Sequence, residues 1–144
     1  MQSGLPDNDD PAQYKQWVCW KHIVRDGKAS KLPMQTNGKP ASVVDAATWS
    51  TFEDASNAAK TNGWGIGFVL TSADPFVVID LDKSNAPDNE ALHKRLLDEF
   101  SQTYSEISPS GIGFHIFCIG KWKTSGNRFG SVKPGLFILK FFDL

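Results

Sequence analysis

The chain has 144 residues, about the length of one domain. Its 40% hydrophobic and 12% aromatic content suffices for one ordinary core and excludes a disordered tail. With 15 basic and 16 acidic residues its net charge is −1, which argues against binding duplex DNA by bulk charge alone but allows a local basic groove.

The composition also bears on location. No stretch approaches the roughly 18 consecutive apolar residues of a membrane span. The polar, acidic start lacks the basic and apolar regions of a secretory signal. We therefore expect a cytoplasmic protein with no membrane partner. Cys19 and Cys118 lie in apolar runs without CxxC spacing, which predicts buried thiols; a disulfide is the alternative.

The elements follow from residue patterns along the chain. Residues 1–13 predict a flexible arm and residues 14–144 a single domain. The predicted elements are a strand at 16–24, an Asp-Gly turn at 25–28, a strand beginning at Lys31, a helix from Thr51 that Gly63 ends, central strands at 65–72 and 75–82, a helix at 91–104, a loop at 105–113, a strand at 114–122 and a closing apolar run at 136–144.

This order, β-β-α-β-β-α-β-β, contains two neighbouring pairs of strands that resemble hairpins, one of them joined by a tight link at 73–74. It predicts an α+β fold in which the helices pack on one face of a mostly antiparallel sheet.

The first chemical motif is the pair Asp80 and Asp82 in VVIDLD. Residues two apart on a strand share a face, and two carboxylates there repel each other unless a cation lies between them. The apolar approach predicts a buried central strand, where unpaired charges are costly. Mg²⁺ or Mn²⁺ is the natural partner at a site that handles phosphate. Alternatively, Asp80 ends the strand and Asp82 caps the next loop.

The second motif is the loop SPSGIG, which opens into a strand that carries His115. The small residues Ser108, Ser110 and Gly111 would let backbone N–H groups approach a phosphate closely. A ring nitrogen of His115 could donate to a phosphate oxygen. The alternative is a tight turn followed by an ordinary strand histidine. His93 is predicted to be solvated on a polar helix face.

Basic residues lie in loops beside both motifs, where they line a phosphate track or form a solvated rim. They are Lys28, Lys31, Lys39, Lys121, Lys123, Arg128 and Lys133.

Taken together, QWVCWK, the K-x-P at 31–33, W-x-x-F-E at 49–53, GIGFVLTSADPFVVIDLD and YSEISPSGIGFHIF resemble the primase-polymerase domain of phage and mobile-element replication proteins, in the archaeo-eukaryotic primase superfamily. The resemblance covers about residues 14–120. The combined string is specific, whereas each motif alone is common.

The resemblance implies a nucleotidyltransferase with a catalytic sheet related to the RNA-recognition fold. Asp80 and Asp82 would hold two divalent metal ions, Mg²⁺ or Mn²⁺. His115 would contact the phosphates of the incoming (d)NTP, in a pocket that Ser108, Ser110, Gly111 and Lys31 help to form. Single-stranded or primed DNA is the implied template. Because similar proteins often carry a fused helicase, a replicative helicase is a candidate partner.

The chain departs from the family pattern near its end. Phe137 stands where the family has a third acid, and Asp143 is out of register as a substitute. The resemblance therefore implies a domain that is incomplete after about residue 136, as in a truncated copy. The leading interpretation is a DNA primase/polymerase domain, inactive if the third acid is essential. The alternatives are a non-catalytic nucleotide or single-stranded DNA binding module and a metal-dependent nuclease.

Overall fold

The fold consists of helices and strands that divide between two compact units. This computed structural model describes residues 10–71, 73–81, 89–107, 113–120 and 135–137. One unit comprises the described parts of Pro11–Asp74 and strand 135–137, and the other the described parts that follow Pro75 up to residue 120. Residues 1–9 of the predicted arm lie outside these residues, whereas Pro11–Gln13 form a short 3-10 helix in which Pro11 is buried. The prediction that residues 14–144 form one domain stays a prediction.

The first unit is built on a hairpin. Strand β1 (Trp17–Arg25) pairs antiparallel with β2 (Lys28–Met34), and Arg25 lies opposite Lys28. The two residues between the strands both have positive φ, 52° at Asp26 and 72° at Gly27, as a two-residue hairpin turn requires. The hairpin that the Asp-Gly pair predicts is therefore confirmed.

The sheet of this unit has two further strands, β3 (Gly65–Leu70) and β7 (Gly135–Phe137). The four strands lie in the order β2-β1-β3-β7. Strand β3 runs antiparallel to β1, with Trp17 opposite Phe68. Strand β7 adds to β3 and places Phe137 opposite Phe68 in register. The two interior strands carry the fully buried residues of this sheet, such as Trp17 and Val69.

Helix α1 (Phe52–Asn62) begins and ends where the sequence predicts. The Thr51 side chain accepts a hydrogen bond from the Asp54 N–H, and Gly63 ends the helix in the left-handed conformation at φ 66°. The helix packs against β1: Phe52 meets the Trp17 ring edge-on at 4.9 Å, and Cys19 Sγ donates to the Ala55 carbonyl at 3.4 Å.

Gly65 gives this sheet a stability test. It lies opposite Trp20, and a Cβ built at Gly65 would overlap the Trp20 indole, whose Nε1 donates to the Ile66 carbonyl at 3.0 Å. Gly65→Ala should therefore lower the free energy of unfolding by about 1–3 kcal/mol, as overpacking does. Urea unfolding measures it. Gly120→Ala is the control, because nothing lies within 4 Å of its Cβ position. Equal stability of the two variants would contradict the packing.

The second unit contains a three-stranded antiparallel sheet. Strand β4 (Phe76–Leu81) and strand β5 (Ser105–Ile107) flank β6 (Phe114–Ile119). Helix α2 (Asn89–Glu99) contacts β6, where the His93 ring meets the Phe114 ring edge-on at 6.0 Å.

These elements confirm an α+β fold and correct four expectations. The strands form two sheets where one is expected. Strands β3 and β4, predicted as a hairpin, belong to different sheets: Asp74 accepts hydrogen bonds from the Thr71 N–H and from Gln16, which ties the link between them to the first unit. Strand β4 is predicted to be central but is an edge strand among the described strands. Residues 105–107 are predicted to be part of a loop but form strand β5.

Both cysteines are free thiols, as predicted, but only Cys19 is buried and Cys118 is half-buried. Burial raises the pKa of the Cys19 thiol to about 11, and burial also raises the pKa of Cys118, which a hydrogen bond with Thr103 partly opposes. A neutral thiol is a poor nucleophile and a poor metal ligand. Within the described residues, neither helix has the length and apolar character needed to cross a membrane.

Candidate functional site

Three polar side chains form a row across the second sheet. His115 on the central strand β6 lies opposite Asp80 on β4 and opposite Glu106 on β5. Residues directly opposite one another in antiparallel strands share a face of the sheet. The pairing therefore brings two predicted site residues, 35 positions apart in the chain, onto one face.

The His115 ring contacts both carboxylates, one with each nitrogen. Its Nδ1 lies 2.9 Å from Glu106 Oε1, and its Nε2 lies 3.6 Å from Asp80 Oδ1. Tyr104, two residues before Glu106, donates from its hydroxyl to Glu106 Oε2 at 3.3 Å. The row is thus a connected polar network in which each nitrogen of the ring faces a different acid.

The two acids of the row differ sharply in exposure. The Asp80 side chain is 46% exposed, whereas the Glu106 side chain is 4% exposed and that of His115 is 10% exposed. The expectation that Asp80 sits in a buried strand is therefore wrong, because β4 lies at the edge of the described sheet. An exposed carboxylate beside a buried, anchored imidazole is accessible to a charged ligand.

Helix α2 contacts the opposite face of this sheet through His93. Successive residues of a strand point to opposite faces, so Phe114, which α2 contacts through His93, and His115 lie on different sides of β6. His93 itself is 9% exposed, which corrects the expectation of a solvated histidine. Its burial against an aromatic ring gives His93 a packing role.

Asp80, at the exposed end of the row, is the described acid that the sequence predicts to be a metal ligand. Mg²⁺ is commonly held by one or two carboxylates, water and substrate phosphates rather than by an all-protein cage. Asp80 supplies one such carboxylate. Within the described residues, which do not include Asp82, no group of three His, Cys, Asp or Glu side chains is placed to hold a metal ion. One described carboxylate does not by itself define a metal site, so the binding of Mg²⁺ or Mn²⁺ stays a prediction.

The remaining predicted site residues are placed as follows. Lys31 lies on β2 in the first unit, with its Nζ 4.7 Å from the centre of the Trp20 ring, a cation–π arrangement. Its assignment to a nucleotide pocket stays a prediction. The others lie outside the described residues: Asp82, Ser108, Ser110 and Gly111.

Glu106 is the member of the site that sequence reasoning missed. Residues 105–113 read as a loop because they are rich in Ser, Gly and Pro, so Glu106 had no predicted partner. Glu106 could be identified only from the register between strands β5 and β6. Their antiparallel pairing places Ile107 opposite Phe114 and hence Glu106 opposite His115.

Comparison with known proteins gives one informative relative. No protein-family model matches the chain. The DNA primase-polymerase of Nitratiruptor phage NrS-1 is 41% identical over 115 residues, an alignment that covers 76% of this chain and 15% of the relative. The chain thus spans a small part of that protein's length. Over most of its own length, the chain is related to a phage primase-polymerase.

Proposed function

We propose that this chain binds a nucleoside triphosphate with a divalent metal ion at the row Asp80–His115 and belongs to the catalytic region of a DNA primase-polymerase. The reaction class is nucleotidyl transfer, in which a 3′-hydroxyl attacks the α-phosphate of a (d)NTP, the bond between the α- and β-phosphates breaks, and pyrophosphate leaves. Primed or single-stranded DNA is the proposed template, and a sheet of the RNA-recognition type is the proposed catalytic core.

The observation that carries this proposal is the cross-strand pairing of Asp80 with His115. Each motif alone is common, but their meeting at 3.6 Å on one face supplies an acid for a cation and a ring nitrogen for a phosphate. The identity to a phage primase-polymerase supports the same reaction class.

Each residue has a defined task in this proposal. Asp80, and by the sequence pattern Asp82, would hold the cation, which would neutralise charge on the phosphates and favour attack by the 3′-hydroxyl. His115 would donate from Nε2 to a phosphate oxygen, which requires a proton on both ring nitrogens when Nδ1–H faces Glu106. Fixed donors of this kind stabilise charge that develops in the transition state without further reorganisation.

A non-catalytic binding module is the second candidate. Phe137, on β7, occupies the position that the resemblance assigns to a third acid. A chain with Asp80 and His115 but without that acid would bind nucleotide and turn over slowly.

Two assays separate the candidates. Isothermal titration of the chain with dNTP and Mn²⁺ measures binding, and primer extension on a primed template measures transfer. Binding with extension indicates a polymerase, binding without extension a binding module, and cleavage of the labelled strand a nuclease. Absence of nucleotide binding would contradict the proposed function.

His115→Asn tests the phosphate contact without removing the support of Glu106. An Asn amide nitrogen occupies about the place of Nδ1, so Glu106 keeps a donor while Nε2 is lost. We expect dNTP binding to weaken by about 1.5–3 kcal/mol, the range for hydrogen bonds to charged groups. Titration calorimetry measures the affinity, and thermal melting verifies the fold.

His115→Ala is the informative comparison. It leaves the 4%-exposed Glu106 carboxylate without its ring partner, so it should also destabilise the fold by about 1–3 kcal/mol, the cost of leaving a buried hydrogen-bonding atom unsatisfied. If His115→Asn folded and bound dNTP as tightly as the unmodified chain, His115 would be a structural histidine.

A further inference from the structure

The second unit holds a buried acid, Glu106, to which the resemblance to primase-polymerases assigns no role. Glu106 is 4% exposed, lies 2.9 Å from Nδ1 of His115 and accepts from Tyr104 through its other oxygen. Burial of a carboxylate is costly unless its oxygens are hydrogen-bonded, and here each oxygen has a partner. The acid is therefore held in a fixed position beside the ring.

The contact dictates where the ring carries a proton. When Glu106 is ionised its carboxylate can only accept hydrogen bonds, and the 2.9 Å contact then has the proton on Nδ1. Rotation of the ring by a half-turn would place carbon atoms against both acids. Nε2 is therefore the nitrogen that faces Asp80 and any ligand held there.

We propose that Glu106 is a positioning residue that holds a proton of His115 on Nδ1 and thereby directs Nε2 toward the ligand beside Asp80. Glu106 acts through the ring and does not itself touch the nucleotide. Histidines at ligand sites are commonly oriented by a carboxylate on the other nitrogen, which fixes the tautomer and the ring plane. Tyr104 extends the same chain of hydrogen bonds by orienting Glu106.

The first test needs no variant. Long-range ¹H–¹⁵N NMR of the ¹⁵N-labelled chain distinguishes a ring protonated at Nδ1, at Nε2 or at both. We expect Nδ1 of His115 to carry a proton at neutral pH, in either the neutral or the doubly protonated ring. A neutral ring protonated at Nε2 alone would overturn the proposal.

The second test is Glu106→Gln, which conserves volume and removes the charge. Because the amide is uncharged and can either accept from Nδ1 or donate to it, it should hold the Nδ1 proton less firmly. The ring with a proton on both nitrogens, which can donate from Nε2 while Nδ1 is held, should then be less populated. We expect dNTP affinity to fall by about 10- to 100-fold, the usual range for changed orienting partners. Glu99→Gln, an exposed change on α2, is the matched control and should alter neither readout.

The effect on affinity rests on the proposed function, whereas the tautomer does not. If the unmodified chain bound no nucleotide but carried its proton on Nδ1, the proposed function would fail and the positioning role would stand. If the unmodified chain bound nucleotide and Glu106→Gln changed neither the tautomer nor the affinity, the positioning role would fail instead. A purely structural acid would lower stability and leave both readouts of the folded variant unchanged.

Discussion

Asp80→Asn, combined with Asp82→Asn, is expected to weaken Mn²⁺-dependent dNTP binding by at least about a hundredfold. Changes one shell away from a metal already cost about 10- to 100-fold, and a direct ligand should cost no less. The amide keeps the shape of the side chain and removes the negative charge that a hard cation requires. Isothermal titration with dNTP, in the presence and absence of Mn²⁺, measures the loss.

The fold should tolerate this change. The Asp80 side chain is 46% exposed, and its 3.6 Å approach to His115 is the type of partly solvated ion pair that contributes about 0–1 kcal/mol. Asp80→Asn alone separates the contribution of the described acid from that of Asp82. Asp98→Asn, an exposed acid on α2, controls for the loss of one charge. An unchanged binding curve for the double variant would show that the metal site lies elsewhere.

Local patterns predicted the elements well where a physical signal acts within a few residues. The Thr51 cap, the Gly63 stop and the Asp-Gly turn each depend on hydrogen bonds or φ angles of their immediate neighbours. The pairing of strands that lie far apart in the chain is harder to predict from the sequence. The short link after β3 suggested a hairpin, yet Asp74 binds Gln16 and Thr71 within the first unit, and β4 pairs with β6 instead.

The candidate site shows the same difference between local motifs and long-range strand pairing. Asp80 and His115 were identified from their motifs, and their pairing supports that choice. Glu106 was missed, because its role depends on which residue lies across from it in a three-residue strand. The exposure of Asp80 was also misjudged, since an apolar run of residues before an acid does not reveal whether its strand is central or at an edge.

Nucleotide transfer by the unmodified chain is expected to be at least about a hundredfold slower than transfer by an intact relative. Two-metal sites hold their ions about 3.5–4 Å apart in fixed geometry, which requires several carboxylates. The resemblance places a third acid at the position of Phe137, on β7 opposite Phe68, and a phenyl ring cannot ligate a cation. Each ~1.36 kcal/mol lost from the transition state is a tenfold loss in rate.

Phe137→Glu tests this explanation. We expect it to raise the rate of primer extension with Mn²⁺ or Mg²⁺ above that of the unmodified chain. Leu136→Glu is the matched control: it adds the same charge one position earlier on β7, opposite Val69, and should not raise the rate. Robust extension by the unmodified chain would contradict the prediction and would mean that another acid, with Asp143 the first to test, supplies the missing carboxylate.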